Sequence, residues 1–239
     1  MRRATVLSTG EVHLWLAHLD ADDRCLEDLV PTLSPGELRR AEAFVYARER
    51  HRFIVARGIL RRLLAPYLCA DPAAVEFAYG PNGKPEVTNG NGLASLHFNV
   101  SHSEALALYA VAADRRVGVD LERVRPLPDA ANIAQLCLSP RELATLTDLT
   151  GRAFETAVVR GWTLKEAYLK ATGEGLVLPP ERVELAIAPD VPPRLLAVDG
   201  DARAAARWSL SSFAPAPGYT AALAVEQRVD QDDPHRSLP

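Results

Sequence analysis

The sequence has few cysteines and no long apolar segment. Its three cysteines, Cys25, Cys69 and Cys137, are odd in number and far apart, which argues against a disulfide framework or a zinc site. No stretch approaches the roughly 18 consecutive apolar residues of a membrane-spanning helix, and the basic start at Met1–Arg3 is not followed by the apolar core of a signal peptide. We therefore expect a cytoplasmic protein with reduced cysteines and no membrane association.

A strong charge of either sign is also missing. The 27 basic and 31 acidic residues leave a net charge of −4, which gives no general attraction to nucleic acid. An arginine-rich helical region at 39–62 keeps nucleic-acid binding open as an alternative, although exposed aromatic residues are not interleaved with the arginines. The 239 residues are 48% apolar, enough for one large or two small packed domains.

One order of elements occurs twice along the chain. The hexapeptide L-S-P-x-E-L at Leu33–Leu38 returns at Leu138–Leu143, and in both places it predicts a capped helix start, then a long helix and then strands. We expect a break in the first long helical region near Val45–Ala47. The pattern predicts an α+β fold of two similar halves with a ligand cleft at their junction. We assign residues 1–116 and 117–228 to the halves and 229–239 to a disordered tail.

Two short segments carry carboxylates at spacings that place them on one face. Asp120 and Glu122 lie two apart on a predicted strand, Val117–Val124, which we expect to form an antiparallel hairpin with Ala105–Ala112. On the second long helix, predicted at Arg152–Ala171, Trp162, Glu166 and Lys170 are spaced four apart and share a face. If the strand packs on the helix, three carboxylates converge beside a lysine. Hard oxygen ligands of this kind suit Mg²⁺, with room for phosphate.

Each feature also has a purely structural interpretation. Glu166 and Lys170 could form an ordinary i,i+4 pair on a solvated face, Lys84 could be a surface turn residue, and Glu142 could be half of a capping box with Ser139. The conjunction favours function, because basic groups and carboxylates together suit an anion bridged by a metal.

Four segments in order resemble the motifs of 4′-phosphopantetheinyl transferases. Gly118–Glu122 and Trp162–Lys170 are similar to the two signature motifs, and Gly83–Pro85 and Phe98–His102 are similar to two further ones. Their order and spacing are those of the larger, Sfp-type class, in which two similar halves form a pseudodimer within a monomeric chain. The resemblance covers approximately Leu33–Val225.

The resemblance implies an enzyme that moves the phosphopantetheine arm of coenzyme A onto a serine of an acyl or peptidyl carrier protein, by analogy one of secondary metabolism. It implies Mg²⁺, or Mn²⁺, on Asp120, Glu122 and Glu166. The implied coenzyme A ligands are Arg40, Arg52, Lys84, Ser101, His102, Lys165 and Lys170. Glu166, Glu142 or a metal-bound water could accept the proton of the serine, and Lys170 would stabilise charge. The alternative enzyme is another magnesium-dependent nucleotide transferase or hydrolase.

Overall fold

The computed structural model describes residues 7–8, 10–88, 95–189 and 191–227. The loop expected at 89–92 and the tail expected at 229–239 lie outside these ranges. The first half contains β1 (Val12–His18), α1 (Asp23–Leu29), α2 (Pro35–Glu42), α3 (Ala47–Leu68), β2 (Phe77–Tyr79), β3 (Pro85–Val87), β4 (Leu96–Ser103) and β5 (Leu106–Ala113). The second half contains β6 (Val117–Arg123), α4 (Ala130–Cys137), α5 (Pro140–Ala144), α6 (Gly151–Thr172), β7 (Val183–Ala186), β8 (Arg194–Val198), α7 (Ala202–Ala206), β9 (Trp208–Phe213) and β10 (Tyr219–Glu226).

Two antiparallel three-stranded sheets form the framework, with strand orders β1–β5–β4 and β6–β10–β9. The hairpin predicted between the segments of β5 and β6 is wrong. β5 is the central strand of the first sheet, so β1 and β4 occupy both of its edges. A tight turn through Glu104, whose φ is +51°, returns β4 directly into β5, while β6 pairs with β10 across the second half.

One long helix packs on each sheet. Val55, Leu60 and Leu64 of α3 are buried with Tyr109 and other residues of the first sheet, and α6 contributes Val158, Leu164 and Leu169 to the corresponding core of the second half. A third apolar cluster joins β5 to β6 and β10. The predicted break in the first helical region is confirmed, because α2 ends at Glu42 and α3 begins at Ala47.

Both predicted helix starts are capping boxes. Glu37 and Glu142 accept a hydrogen bond from the backbone N–H of Ser34 and Ser139 respectively, while each serine side chain accepts one from the glutamate N–H. Each glutamate also binds a cation of the following long helix. Glu37 Oε2 lies 2.7 Å from Arg61 Nε, and Glu142 Oε2 lies 2.6 Å from Lys165 Nζ. These buried pairs fix each cap against its long helix.

The two sheets meet where β4 runs beside the outer edge of β6. Polar side chains of β4 take the place of strand carbonyls there. Every second amide of β6 donates to an oxygen of β4: Asn99 Oδ1 at 2.9 Å, Ser101 Oγ at 3.2 Å and Ser103 Oγ at 3.1 Å. The donors are Val119, Leu121 and Arg123. Because amides removed from water must be hydrogen-bonded, this ladder of side chains sets the position of β6 relative to β4.

Candidate active site

A glycine lets α6 lie against β6. A Cβ atom at Gly118 would stand 2.1 Å from the carbonyl oxygen of Ala167 and 2.4 Å from the amide nitrogen of Ala171, so only glycine permits this approach. Asp120 and Glu122 follow at intervals of two on the same face of β6, while Val119 and Leu121 are buried in the apolar cluster between the sheets. The helix therefore covers the face that carries the carboxylates.

Lys170 of α6 and Ser101 of β4 meet at Asp120. The Lys170 ammonium donates to Asp120 Oδ1 at 2.5 Å and to Ser101 Oγ at 3.1 Å. The Ser101 hydroxyl donates to Asp120 Oδ1 at 2.9 Å. Ser101 thus faces the carboxylate cluster, whereas the neighbouring His102 points to the opposite side of β4 and lines a separate pocket. The other oxygen, Asp120 Oδ2, is buried and has no hydrogen-bond partner.

Glu122 and Glu166 complete the cluster. Glu122 Oε2 accepts from Ser103 Oγ at 3.2 Å, and the nearby Trp162 side chain of α6 acts to lower the pKa of this carboxylate. Burial raises the pKa of Glu122, and the charge of Asp120 raises it further. Burial likewise raises the pKa of Glu166, and the charges of Asp120 and Glu122 add to this against the lowering effect of Lys170. Three carboxylates therefore share one ammonium and carry an excess of negative charge.

The structure joins Lys170 to Asp120 and places Glu122 and Glu166 near both, since the charges of Asp120 and Lys170 affect the pKa of each glutamate. Among the residues it describes, no three His, Cys, Asp or Glu side chains are already arranged around a metal position. Asp120 points one oxygen at Lys170 and leaves the other without a partner. A donor set of carboxylate oxygens with unsatisfied charge suits a hard divalent cation.

A basic pocket of about 520 Å³ lies on the other side of β4. Arg40, Arg52 and His102 line it together with aromatic side chains that include Phe53. The guanidinium of Arg40 lies over the Phe53 ring at 5.4 Å, and Asp20 holds Arg52 through two hydrogen bonds of 2.6 and 2.9 Å. Burial and the nearby Lys170 charge lower the pKa of His102. Because His102 follows Ser101 on β4, the pocket and the carboxylate cluster lie on opposite faces of the same strand.

Lys84 and Asn82 reach from the β2–β3 turn to the end of α6. Lys84 Nζ donates to the carbonyl of Ala171 at 2.8 Å, and the Asn82 amide donates to the carbonyls of Gly173 and Glu174, each at 2.9 Å. Burial lowers the pKa of Lys84 to about 8. Lys84 also lines, with Lys170, a small cavity of about 190 Å³. The turn of the first half thus caps the helix that carries Glu166 and Lys170.

Two predicted site residues lie elsewhere. Lys165 is 0% exposed and donates to Glu142 Oε2 and to the carbonyl of Pro180 at 2.9 Å. Glu142, 1% exposed, also accepts from the amide of Leu185 at 2.8 Å. This ion pair lies inside the second half because the capping box turns Glu142 inward, and the contacts of both residues are with structural groups there rather than with the proposed proton-acceptor and coenzyme sites.

Four of the six arginines of α3 are paired with carboxylates of the chain. Arg48 and Arg52 bind Asp20, and Arg57 and Arg61 bind Glu37. These internal pairs weaken the nucleic-acid alternative. Within the described ranges, no helix combines the length and apolar composition of a membrane span.

Sequence reasoning missed several residues that shape the site. Asn82 and Ser103 were not singled out, and Asn99 was noted only within a motif. The signal was present, because Asn99, Ser101 and Ser103 alternate on a strand whose other residues are mainly apolar. Polar residues at a period of two in a buried strand indicate a shared polar partner on that face.

A cluster of carboxylates and a lysine beside a basic pocket defines an enzyme site for a phosphorylated substrate. Comparison with known families agrees with this class. Residues 116–224 match the 4′-phosphopantetheinyl transferase superfamily, and residues 21–114 match the 4′-phosphopantetheinyl transferase N-terminal family.

Individual relatives give the same result over most of the chain. The 4′-phosphopantetheinyl transferase HetI of Nostoc sp. is 41% identical over 219 residues, which cover 92% of this chain and 89% of the relative. A 4′-phosphopantetheinyl transferase of Bacillus subtilis is 27% identical over 72% of this chain and 68% of its own. The human L-aminoadipate-semialdehyde dehydrogenase-phosphopantetheinyl transferase is 26% identical over 67% of this chain and 54% of its own. The protein belongs to the 4′-phosphopantetheinyl transferase family.

Proposed function

We propose that this enzyme transfers the 4′-phosphopantetheine group of coenzyme A to a serine of an acyl or peptidyl carrier protein and releases adenosine 3′,5′-bisphosphate. The observation that carries the proposal is the convergence of Asp120, Glu122 and Glu166 with Lys170 beside the basic pocket. Family membership supports the same reaction.

The pocket on the far side of β4 receives the nucleotide end of coenzyme A. Arg40, Arg52 and His102 supply positive or protonatable groups for the 3′-phosphate, and the aromatic ring of Phe53 offers a stacking surface for adenine. Lys84 adds a cation at the adjoining cavity. The pyrophosphate would then extend toward Lys170, which lines the same small cavity as Lys84.

A divalent cation fits the carboxylate cluster. Asp120 Oδ2 is buried without a partner, and burial, together with the charge of Asp120, raises the pKa values of Glu122 and Glu166. Asp120, Glu122 and Glu166 would hold Mg²⁺, or Mn²⁺ in its place. When bound, the cation offsets the charge that develops on the pyrophosphate oxygens.

The chain itself supplies the remaining chemistry. The serine oxygen of the carrier protein forms a new ester bond to the phosphorus that bears pantetheine, and the anhydride bond to the other phosphorus breaks. Lys170 stabilises charge on the departing phosphate oxygens. Glu166 takes the serine proton directly or through water.

Two similar halves within one chain, 1–116 and 117–228, support action as a monomer. Each half has a three-stranded sheet, a capping box that contains a glutamate, and a 22-residue helix. The site draws its groups from both halves, since β4 and the β2–β3 turn belong to the first and β6 and α6 to the second.

A carrier-labelling assay tests the proposal. Incubation with coenzyme A and an apo-carrier protein should give a carrier whose mass increases by one phosphopantetheine group. The product should disappear with a metal chelator and return with excess Mg²⁺. Release of adenosine 3′,5′-bisphosphate without any carrier would instead identify a hydrolase, and the absence of any modified carrier across acyl and peptidyl types would refute the proposal.

The matched pair Glu166→Gln and Glu155→Gln tests the site. Both change the same side chain on α6, but Glu155 pairs with Arg152 near the helix start. We expect Glu166→Gln to lower kcat/KM at least 100-fold, the scale on which proton transfer alone contributes, and Glu155→Gln to leave it within about 2-fold because a surface pair contributes little. Equal kcat/KM values for the two variants at saturating Mg²⁺ would contradict the role of Glu166.

A further inference from the structure

The hydroxyl of Ser103 has two partners on β6. It accepts the amide of Arg123 at 3.1 Å, and it lies 3.2 Å from Glu122 Oε2. A serine hydroxyl has one proton to give and two lone pairs to accept. Because the amide of Arg123 uses a lone pair, the proton of Ser103 is directed to the carboxylate. Ser103 therefore restricts the orientation of Glu122 as well as the position of its strand.

Ser101 repeats the arrangement two residues earlier. Its oxygen accepts the amide of Leu121 at 3.2 Å, and its proton goes to Asp120 at 2.9 Å. The repeat follows from strand geometry, since residues at intervals of two on β4 face residues at intervals of two on β6. Each of the two β6 carboxylates thus receives a hydrogen bond from the serine that also accepts the next amide along β6.

The hydrogen bonds of Ser103 involve a single carboxylate, whereas those of Ser101 involve a carboxylate and a lysine. Ser101 also accepts from Lys170 at 3.1 Å, so its loss would disturb the lysine as well as Asp120. Ser103 donates a hydrogen bond to Glu122 and accepts one from the backbone amide of Arg123. Glu122 also lies near Trp162 of the facing element, α6. Ser103 is therefore the side chain that holds the carboxylate from β4.

We propose that Ser103 is a positioning residue that presents Glu122 to the divalent cation, so that correct docking of β4 on β6 and a high metal affinity depend on the same hydroxyl. The inference rests on the proposed function, which assigns the cation to these carboxylates. Hydrogen-bonded partners of metal ligands orient the ligand, and their loss typically weakens metal affinity or activity 10- to 100-fold.

The test measures Mn²⁺ binding by the loss of the free-ion electron paramagnetic resonance signal, with coenzyme A present, and compares four variants with the wild type. Ser103→Ala and Ser103→Cys remove or weaken the donor, Ser103→Thr keeps it, and Ser211→Ala is the control because Ser211 is an exposed strand serine of the second half. We expect about 10-fold weaker Mn²⁺ binding for Ala and Cys, and values within about 2-fold of wild type for Thr and the control.

Kinetic measurements distinguish a positioning role of Ser103 from a purely structural one. The Mg²⁺ concentration for half-maximal labelling should rise about 10-fold in Ser103→Ala, while kcat at saturating Mg²⁺ returns to within a few-fold of wild type. If Ser103→Ala does not fold, Ser103→Cys provides the same comparison. If the folded Ser103→Ala or Ser103→Cys variant binds Mn²⁺ with the wild-type affinity, the inference about Ser103 is wrong and the proposed function is unaffected. A wild-type protein that binds no Mn²⁺ overturns the metal assignment as well.

Discussion

Replacing Lys165 by methionine should destabilise the protein without impairing its chemistry. The Lys165 ammonium and the Glu142 carboxylate are 2.6 Å apart and both are almost fully buried. Removing one partner of a buried ion pair costs about 3–5 kcal/mol, because the other charge remains without compensation. Glu142 keeps the amides of Ser139 and Leu185, so we expect the lower end, about 3 kcal/mol. For a chain of this length that lowers Tm by about 6–12 °C.

Thermal unfolding followed by circular dichroism measures this shift, and carrier labelling well below Tm measures activity. Arg141→Met is the control, because Arg141 pairs with Glu184 at 3.8 Å on the surface with 71% of its side chain exposed. A surface pair of this kind contributes at most about 1 kcal/mol. We expect kcat/KM within about 3-fold of wild type for both variants, since neither cation touches the carboxylate cluster. An unchanged Tm together with a raised KM for coenzyme A would return Lys165 to the coenzyme site and refute the placement.

Two further variants test contacts made by α6. Lys84→Met should raise the KM for coenzyme A about 10-fold at pH 7, the loss of one charge-assisted contact. Because burial lowers the pKa of Lys84 to about 8, the wild-type KM should rise toward that of the variant between pH 7 and 9, and a flat wild-type profile would count against the role. Gly118→Ala should cost about 3 kcal/mol by overpacking and abolish labelling, since its Cβ would lie 2.1 Å from the Ala167 carbonyl. Gly36→Ala, whose Cβ meets nothing nearer than 3.9 Å, should retain stability and activity; equal unfolding temperatures for the two would contradict the close approach.

Local patterns predicted the parts of the fold that depend on neighbouring residues. The two capping boxes, the break between α2 and α3 and the row of Trp162, Glu166 and Lys170 follow from spacing along one element. Asp120 and Glu122 share a face for the same reason, because alternation is a property of every strand. Asp120 and Lys170 meet because the helix and the strand pack on each other through Gly118.

Pairing between distant segments could not be predicted in the same way. Proximity in sequence favoured a β5–β6 hairpin, but both edges of β5 are taken by β1 and β4. The burial of Glu142 and Lys165 also depends on long-range packing, since the two lie on different helices and Lys165 further contacts the carbonyl of Pro180. A charged side chain on an amphipathic helix gives no local sign that it will be enclosed with a partner.

Equivalent positions in the two halves make comparable contacts. β1 and β6 are both seven residues long, and α3 and α6 both have 22. At the fifteenth position of its helix, Arg61 binds Glu37 just as Lys165 binds the second capping glutamate. At the second position of its strand, His13 contacts Tyr67 of α3, where Gly118 contacts Ala171 of α6. The two halves therefore resemble each other in their contacts as well as in the order of their elements.

The same alignment explains why the described residues assemble a single carboxylate cluster. The strand and helix positions that hold the cluster in the second half carry neutral or basic residues in the first. The residues Asp120, Glu122, Glu166 and Lys170 correspond by position in their elements to Trp15, Ala17, Arg62 and Pro66. A tryptophan, an alanine and an arginine cannot ligate a divalent cation. On the proposed function, the first half keeps the framework and contributes the other groups: the serines of β4, the arginines of the pocket and the lysine of the β2–β3 turn.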